Sequence, residues 1–197
     1  PNFNDQNLGL SDLIIDNSGN VFFGSYSEGV VGYNPNTNTF AKVEDNIPQT
    51  YVRSLALDNN NQLWIGSSRG LRVLFGPTAM FDTPDLSANE IVILDDDGVP
   101  QELLRDASIS DITVDGNNNK WIATNAGAFY LSSNGQETIY RFTKENSPLP
   151  SNSISSIEVD EVSGKVYIGT TNGLVAFKGT ATAGNDTFEK VRAFPNP

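Results

Sequence analysis

The side chains available for chemistry in this sequence are carboxylates, hydroxyls, phenols and amines, because the chain has no cysteine and no histidine. Without these residue types, the chain alone cannot supply a thiolate nucleophile, a Ser-His-Asp triad or a histidine-ligated zinc or haem. Acidic residues dominate what remains, with 24 of them against 12 basic ones. Any catalysis would depend on carboxylates, lysine, tyrosine or serine. We expect no catalytic residue, no cofactor and no metal site.

Four aspartates recur beside turns rich in Asn, Ser and Gly: Asp16, Asp58, Asp115 and Asp160. Calcium loops also place acids among such residues, but they need oxygen ligands at alternate positions and a bidentate acid farther along. None of the four runs has that acid at the required distance. Their carboxylates are therefore predicted to cap hairpin turns by accepting backbone N–H groups.

The densest acidic run is Asp-Asp-Asp-Gly at residues 95–98, with Glu90, Glu102 and Asp106 nearby. A cation could bind there, but such a run is typical of a solvated turn. A glycan hydrolase or lyase would need two carboxylates that converge across a cleft. The many surface acids do not single out such a pair.

The net charge of −12 argues against sequence-independent binding to nucleic acid, which requires Lys and Arg to displace counterions. Anionic membrane surfaces are disfavoured for the same reason. An acidic surface of this kind keeps a protein soluble, and it also suits cationic partners. No apolar run approaches the length of a membrane-spanning helix.

The elements that position these residues are indicated by an internal repeat. The four aspartates lie 42, 57 and 45 residues apart. Each is followed by a small residue at a fixed place and then by a turn glycine. The small residues are Gly24, Gly66, Ala123 and Gly169, and the glycines are Gly29, Gly70, Gly127 and Gly173.

Every repeat alternates apolar and polar residues with period two, which is typical of strands. The second strand carries an aromatic residue at one fixed place: Phe22, Trp64, Trp121 and Tyr167. Since a single blade cannot bury both faces, these aromatics are expected to pack blade against blade. Four antiparallel strands per repeat predict an all-β fold, a β-propeller of about four four-stranded blades within a larger ring.

We expect the blades at residues 10–50, 51–107, 108–153 and 154–193, after a remnant of a preceding blade at residues 1–9. Fourth strands are expected around Phe40 and at residues 91–94, 139–142 and 188–191. The extra length of the second repeat predicts a long, irregular loop over residues 75–87, which is expected to be mobile or to extend away from the blades. Residues 100–106 have the composition for a turn or two of helix.

The repeat, seen in Asp58, Trp64, Ile65, Gly66 and Gly70, resembles the two-component-regulator propeller repeat. The stretches KWIATNAGAFYLSSNG, FTKENSPLPSNSISSIEVD and GKVYIGTTNGLVAFKGTAT, and the terminal FPNP, resemble the C-terminal propeller of PorZ-like proteins of type IX secretion. In that family an aromatic-Pro-Asn-Pro motif opens a sorting domain, which residues 194–197 would begin. The resemblance implies export to the cell surface and no catalytic residues.

Ligands on a propeller commonly bind at the turns between second and third strands, and loops carry function more often than strands do. The expected ligand-binding residues at these turns are Tyr26, Glu28, Arg69, Asn125 and Asn172. Of these, Tyr26 and Arg69 have the strongest recognition character. The predicted function is a non-catalytic, secreted or cell-surface module that recognises protein or glycan.

Two alternatives remain open. One is a propeller-fold glycan hydrolase or lyase, which a deep pocket lined by carboxylates of raised pKa would favour. The other is the sensor ectodomain of a hybrid two-component regulator. Four blades without a shared closing strand also predict an open arc, whose end faces are covered by the rest of the same protein or by another chain.

Overall fold

Alternating apolar residues and tight turns fold the chain into sixteen antiparallel strands in the computed structural model, which describes residues 9–95 and 97–178. The first blade contains β1 (Leu10–Ile15), β2 (Val21–Ser25), β3 (Val30–Asn34) and β4 (Thr39–Val43). The second contains β5 (Val52–Leu57), β6 (Gln62–Ser67) and β7 (Gly70–Phe75). A separate hairpin follows, made of β8 (Val92–Leu94) and β9 (Pro100–Glu102).

The third blade contains β10 (Ile109–Val114), β11 (Lys120–Thr124), β12 (Gly127–Leu131) and β13 (Thr138–Phe142). The fourth contains β14 (Ile154–Asp160), β15 (Lys165–Thr170) and β16 (Gly173–Lys178). Each strand pairs with the next along the chain inside its blade. The first strands lie side by side, β1 next to β5, β5 next to β10 and β10 next to β14. The predicted all-β propeller fold is confirmed.

The repeated aspartates cap the hairpins between first and second strands. In the second blade Asp58 accepts the backbone N–H groups of Asn60 and Gln62 through Oδ1, both at 2.9 Å. Asp16 and Asp115 make the same pair of bonds two and four residues along. The left-handed φ of 56° at Asn61 completes the turn, in a region that asparagine tolerates.

The second-strand aromatics occupy equivalent positions. They pair with equivalent first-strand partners: Phe22 with Ile14, Trp64 with Ala56, Trp121 with Thr113 and Tyr167 with Glu158. The first three are at most 2% exposed, but Tyr167 is 38% exposed. The expectation that these aromatics pack between blades therefore holds for the first three, and Tyr167 lies on the outward face of the fourth blade.

Three hydrophobic clusters fill the spaces between successive blades. Each combines the second-strand aromatic of one blade with first-strand aliphatics of the next. Trp64, for example, packs in one cluster with Ile109 and Ile112. The core of the molecule is thus divided into layers, one per pair of neighbouring blades.

The second blade departs from the predicted pattern at its outer edge. Its expected fourth strand is reduced to an isolated bridge between Val73 and Asn89, and Val92–Leu94 pairs with Pro100–Glu102 instead. The predicted helical turns at residues 100–106 are wrong, because this segment begins as the second strand of that hairpin. The hairpin pairs locally around the turn at Gly98, whose φ is 76°.

The long connection after β7 packs against the first blade. Residues Pro77–Phe81 form a short 3₁₀ helix that contacts β3 and β4, and Met80 is buried there in the first inter-blade cluster. Gly32 leaves the room for this contact, since a Cβ on it would lie 2.5 Å from the Met80 sulfur. The segment is irregular, as expected, but the prediction of an excursion away from the blades is wrong.

Several sequence predictions lie outside the described residues: the remnant at residues 1–8, Asp96, the fourth strand at 188–191 and the FPNP motif at 194–197. In the part of the chain that the structure describes, no helix has the length and apolar character needed to cross a membrane.

Candidate functional site

The five predicted ligand residues lie on four separate turns, one in each blade. Tyr26 is half exposed, and its ring meets that of Tyr51 edge-on, with centroids 4.9 Å apart. Glu28 forms an ion pair with Lys42 at 2.6 Å. Asn125 and Asn172 are exposed turn residues whose backbone N–H groups are bonded within the protein. The fifth residue, Arg69, lines a pocket.

This pocket has a volume of about 330 Å³ and lies where three segments meet beside the second blade. The segments are the connection between β4 and β5, the turn between β6 and β7, and the chain after β9. Its lining residues are Pro48, Gln49, Arg69, Arg72, Glu102, Arg105 and Asp106. Three of the chain's six arginines therefore line one pocket, together with two acids. The pocket is cationic in a strongly acidic protein.

Arg72 forms the fixed floor of this arginine pocket. Its side chain is buried, and its Nη1 donates to the carboxylate of Glu102 at 2.5 Å. Its Nε donates to the carbonyl of Asn46 at 2.6 Å. A planar guanidinium bonded on two sides cannot rotate freely, so Arg72 presents its charge in one orientation.

The other two arginines are exposed at the rim. Arg69 donates from Nε to Asp106 at 2.9 Å, and neither of its Nη groups takes part in that bond. Arg105 lies 4.0 Å from Glu102 and is largely exposed. Exposed ion pairs of this kind are weak, so a ligand carboxylate can compete for either guanidinium.

Gly70 brings the two rim arginines together. Its φ of 113° is in a region that favours glycine, and its N–H donates to the carbonyl of Ala107 at 2.8 Å. A Cβ at this position would lie 2.9 Å from the carbonyl oxygen of Arg105. The turn after Arg69 can therefore approach the 105–107 segment closely only with glycine at this position.

Two carboxylates outside the pocket have raised pKa values. Burial raises the pKa of Asp111, and the charge of Asp12 adds to the effect. Burial also raises the pKa of Glu158, with a further contribution from the charge of Asp111. Asp111 accepts the N–H groups of Ile112 and Ile157 at 2.9 Å, so its carboxylate already serves as a bond between the third and fourth blades.

Sequence reasoning identified Arg69 but missed the residues around it. Arg72 carried a usable signal, because it is a charged residue inside a third strand whose neighbours Leu71, Val73 and Leu74 are apolar. Arg105 had no such signal, since it lies in a connection whose path depends on the irregular edge of the second blade.

Comparison of the sequence with family models gives one match, to the two component regulator propeller, over residues 46–69. This match covers β5, β6 and the turn that carries Arg69. Comparison with curated protein sequences finds no match.

Several solved structures share the fold. PorZ of Porphyromonas gingivalis, described as an essential bacterial surface component of the type-IX secretion system, aligns with a TM-score of 0.66 and 21% identity over 86% of this chain and 32% of PorZ. The extracellular domain of the putative hybrid two component system BT3049 from B. thetaiotaomicron aligns at 0.69 and 20% identity, over 89% of this chain and 22% of that domain.

A gluconolactonase of Xanthomonas campestris, XC5397, aligns at 0.56 and 16% identity, over 87% of this chain and 57% of the enzyme. The chain thus spans about a third of PorZ and about a fifth of the BT3049 domain. At these identities, similarity to the solved structures establishes the fold only. The function of this chain therefore has to be argued from the geometry of its own site. The chain is therefore a β-propeller in which residues 46–69 match the two component regulator propeller repeat.

Proposed function

We propose that the chain is a non-catalytic recognition module whose arginine pocket binds an acidic group on a protein or glycan ligand. The observation that carries this proposal is the gathering of Arg69, Arg72 and Arg105 in one pocket of a chain with net charge −12. Arginine forks match carboxylate geometry, and a rigid buried guanidinium with two exposed ones provides both orientation and adaptability.

The pocket is tested with probes of matched shape and different charge. Oligogalacturonate supplies carboxylated sugars, galactose oligomers supply the neutral counterpart, and a glutamate-rich peptide supplies acids without sugar. Calorimetric titration should detect binding of an acidic probe and no binding of the neutral sugar. The peptide distinguishes a protein ligand from a glycan ligand.

Two substitutions locate the binding. Arg69→Gln and Arg105→Gln should each weaken binding of the acidic probe at least about tenfold, since a charge-assisted hydrogen bond contributes roughly 1.5–3 kcal/mol. Arg141→Gln is the matched control, because Arg141 is also exposed but lies on the third blade. Equal loss in all three variants, or no binding of either acidic probe to the parent protein, would contradict the proposal.

We further propose a secreted or cell-surface location linked to type IX secretion. The fold similarity to PorZ and the FPNP motif support this location. Protease shaving of intact source cells should remove the protein, and strains defective in type IX secretion should retain it inside. Retention of a normal surface level in such strains would argue against the link.

A propeller-fold glycan hydrolase or lyase remains the alternative from another class, and the raised pKa values of Asp111 and Glu158 favour it. Against it, Asp111 is bonded to backbone N–H groups, and neither carboxylate lines the arginine pocket. Incubation with oligogalacturonate should release neither reducing ends nor unsaturated products. Turnover that Asp111→Asn abolishes would establish the enzyme instead.

A sensor ectodomain of a hybrid two-component regulator would also use a ligand pocket, and its fold is shared by the BT3049 domain. The natural polypeptide distinguishes the two recognition roles. A membrane span and kinase domain in the full gene product would favour the sensor, and a sorting domain would favour the secreted module.

A further inference from the structure

We propose that a second pocket, beside the first blade, binds the guanidinium of an arginine side chain on a partner protein. This first-blade pocket has a volume of about 520 Å³. It forms where the turn between β1 and β2 and the turn between β3 and β4 meet the 3₁₀ helix at Pro77–Phe81 and its flanking residues. It shares no lining residue with the arginine pocket, so it does not depend on the function proposed above.

The pocket owes its wall to the extra length of the second repeat. The connection after β7 returns to the first blade, where Met80 is buried and Phe81 packs against the first inter-blade cluster. This anchoring places Thr78 and Asp82 in the pocket wall. Among the described residues, this connection contains the single helical segment. The pocket is therefore a feature that the repeat itself does not require.

An unpaired oxygen in the wall points to a ligand. Asn20 lines the pocket and is 5% exposed, and its Nδ2 donates to Oδ2 of Asp16 at 2.8 Å. That bond holds the amide in place, and the Oδ1 of Asn20 has no hydrogen-bond partner. No other buried side-chain nitrogen or oxygen of the described residues lacks a partner. Because an unpaired buried acceptor costs free energy, a ligand that brings an N–H or O–H donor would be favoured.

The unpaired oxygen is specific to the first blade. Gln62 and Asn119 hold the equivalent positions in the second and third blades, and both are only partly buried. The amide of Asn119 donates to the hydroxyl of Tyr130 at 2.8 Å. Capping of the hairpin turn therefore does not require a buried amide oxygen without a partner.

The wall offers acceptors and a negative charge. Asp82 is exposed, and its carboxylate forms no ion pair with any described residue. Thr37, Thr39 and Thr78 add hydroxyl oxygens, and no lysine or arginine is among the lining residues. The hydroxyl of Thr39 donates to the carbonyl of Thr37 at 3.4 Å, so its oxygen stays available as an acceptor. This lining favours a cation that carries hydrogen-bond donors.

An aromatic wall selects a guanidinium among such cations. Phe81 lines the pocket, and its ring packs against that of Phe22 with centroids 6.4 Å apart. A planar guanidinium stacks on an aromatic face and carries N–H donors along its edges. It can therefore contact Phe81 while it donates to both Asp82 and Asn20. A lysine ammonium lacks the flat face, and a metal ion would leave most of this volume empty.

The charge of the chain favours a side chain over the free amino acid. Free arginine would bring its own carboxylate to Asp82 and to a protein of net charge −12. An arginine within a polypeptide presents its guanidinium without that carboxylate. The pocket volume of about 520 Å³ also leaves room for the aliphatic stem.

Titration followed by NMR tests the proposal with short peptides blocked at both ends. The sequence Gly-Arg-Gly is compared with Gly-citrulline-Gly, in which citrulline keeps the shape and N–H donors but has no charge. The arginine peptide should shift the side-chain amide of Asn20 and the backbone amides of Thr78 and Asp82. The citrulline peptide should bind at least about tenfold more weakly, because charge-assisted hydrogen bonds are roughly twice as strong as neutral ones.

Two pairs of variants locate the site. Asp82→Asn should weaken binding of the arginine peptide at least about tenfold. Asp85→Asn is its matched control, since Asp85 is an exposed acid of the same connection but does not line the pocket. Asn20→Ala should also weaken binding, and Asn119→Ala should not. Circular dichroism checks that each variant is folded, and the Asp82 and Asp85 pair decides the test if Asn20→Ala does not fold.

Further probes separate the possible sources of the cation. Gly-Lys-Gly should bind more weakly than Gly-Arg-Gly, and propylguanidine should bind no more tightly than the arginine peptide. Arg69→Gln should leave binding of the arginine peptide unchanged, so this proposal and that of the arginine pocket can fail separately.

Each contrary result overturns a stated part of the proposal. Equal binding of the citrulline peptide, shifts confined to other parts of the chain, or equal losses in Asp82→Asn and Asp85→Asn would overturn the site. Equal binding of the lysine peptide would overturn the choice of a guanidinium. Tighter binding of propylguanidine than of the arginine peptide would overturn the assignment to a partner protein.

Discussion

The amine of Lys120 lies 2.9 Å from Oδ2 of Asp58, and both side chains are fully buried between the second and third blades. The amine also donates to the carbonyls of Asn118, at 2.7 Å, and Ser133, and it lies 4.5 Å from the centroid of the Trp64 ring. All three donors of the ammonium are therefore used. The polar contact is enclosed by an otherwise apolar interface.

The two members of this pair respond differently to burial. Burial lowers the pKa of Lys120, and pairing with Asp58 opposes that change. Burial by itself would raise the pKa of Asp58, but hydrogen bonds from Lys120, Gln62 and Trp64 together lower it below its ordinary value of 3.8. The carboxylate thus depends on its hydrogen-bond donors to remain ionised.

Lys120→Met should destabilise the protein by about 3–5 kcal/mol, because it leaves the Asp58 charge buried without its cation. Urea denaturation measures the loss. The double variant Asp58→Asn with Lys120→Met should lose less than the single one. Lys42→Met is the control, since the exposed pair of Lys42 and Glu28 contributes about 1 kcal/mol at most.

The same variant predicts a pH dependence. A carboxyl with a lowered pKa contributes stability that is present above its ordinary pKa and is lost as the pH falls through the folded value. The difference in unfolding free energy between the parent chain and Lys120→Met should therefore shrink as the pH falls below about 4. A difference that stays constant down to pH 2 would show that Asp58 is not the charge involved.

Trp64→Ala and Tyr167→Ala should differ in effect although they change equivalent positions. Trp64 is buried between two blades, and its loss should cost about 3–5 kcal/mol. Tyr167→Ala should lower the stability much less, because Tyr167 is 38% exposed. Denaturant midpoints of the two variants measure this difference. Equal losses would mean that the fourth blade buries its outward face in solution.

Gly66→Ala should destabilise the protein by about 1–3 kcal/mol through overpacking against Ile109. Gly169→Ala should be much better tolerated, because its closest neighbour is the hydroxyl of Ser156, which can rotate away. The third blade already has Ala123 at this position, beside Ile154 in the same cluster. Melting temperatures of the two variants measure the contrast, and a larger loss for Gly169→Ala would contradict it.

Glu158→Gln should stabilise the protein at pH 7. Burial and the charge of Asp111 raise the pKa of Glu158, so its ionised form is disfavoured in the folded state. A carboxyl with a raised pKa contributes stability below its ordinary pKa and loses that contribution as the pH rises through the folded value. The gain from the substitution should therefore vanish below about pH 4, as denaturation across pH would measure.

The repeated parts of the fold could be predicted from the sequence because each repeat has the same residue types at the positions with the same structural roles. Asp58 and its equivalents cap turns, and Trp64 and its equivalents fill inter-blade space, so four copies reinforce one interpretation. The irregular edge of the second blade occurs once, and no other repeat provides a comparison. The strand at Pro100–Glu102 pairs with Val92–Leu94 through a hairpin that no other repeat contains among the described residues. The burial of Met80 depends on contact with β3 and β4, which lie far from it in the sequence.

The candidate site could likewise be predicted only in part from the sequence. Arg69 could be predicted because it lies on a turn whose position the repeat defines. Its neighbours Arg72 and Arg105 come together with it only through the connection after β9, whose path no local pattern specifies. The burial of Lys120 could not be predicted for another reason, since a lysine at the start of a strand is ordinarily exposed.

The side-by-side order of the first strands also governs how the molecule opens. Because β5 contacts β1 and β10, and β10 in turn contacts β14, each blade depends on its sequence neighbours for burial. Such a stack approximates a one-dimensional chain of coupled units, in which the terminal units open first. Native-state hydrogen exchange should therefore be slowest in β6 and β11, which flank the Lys120–Asp58 pair, and faster in β1 and β16.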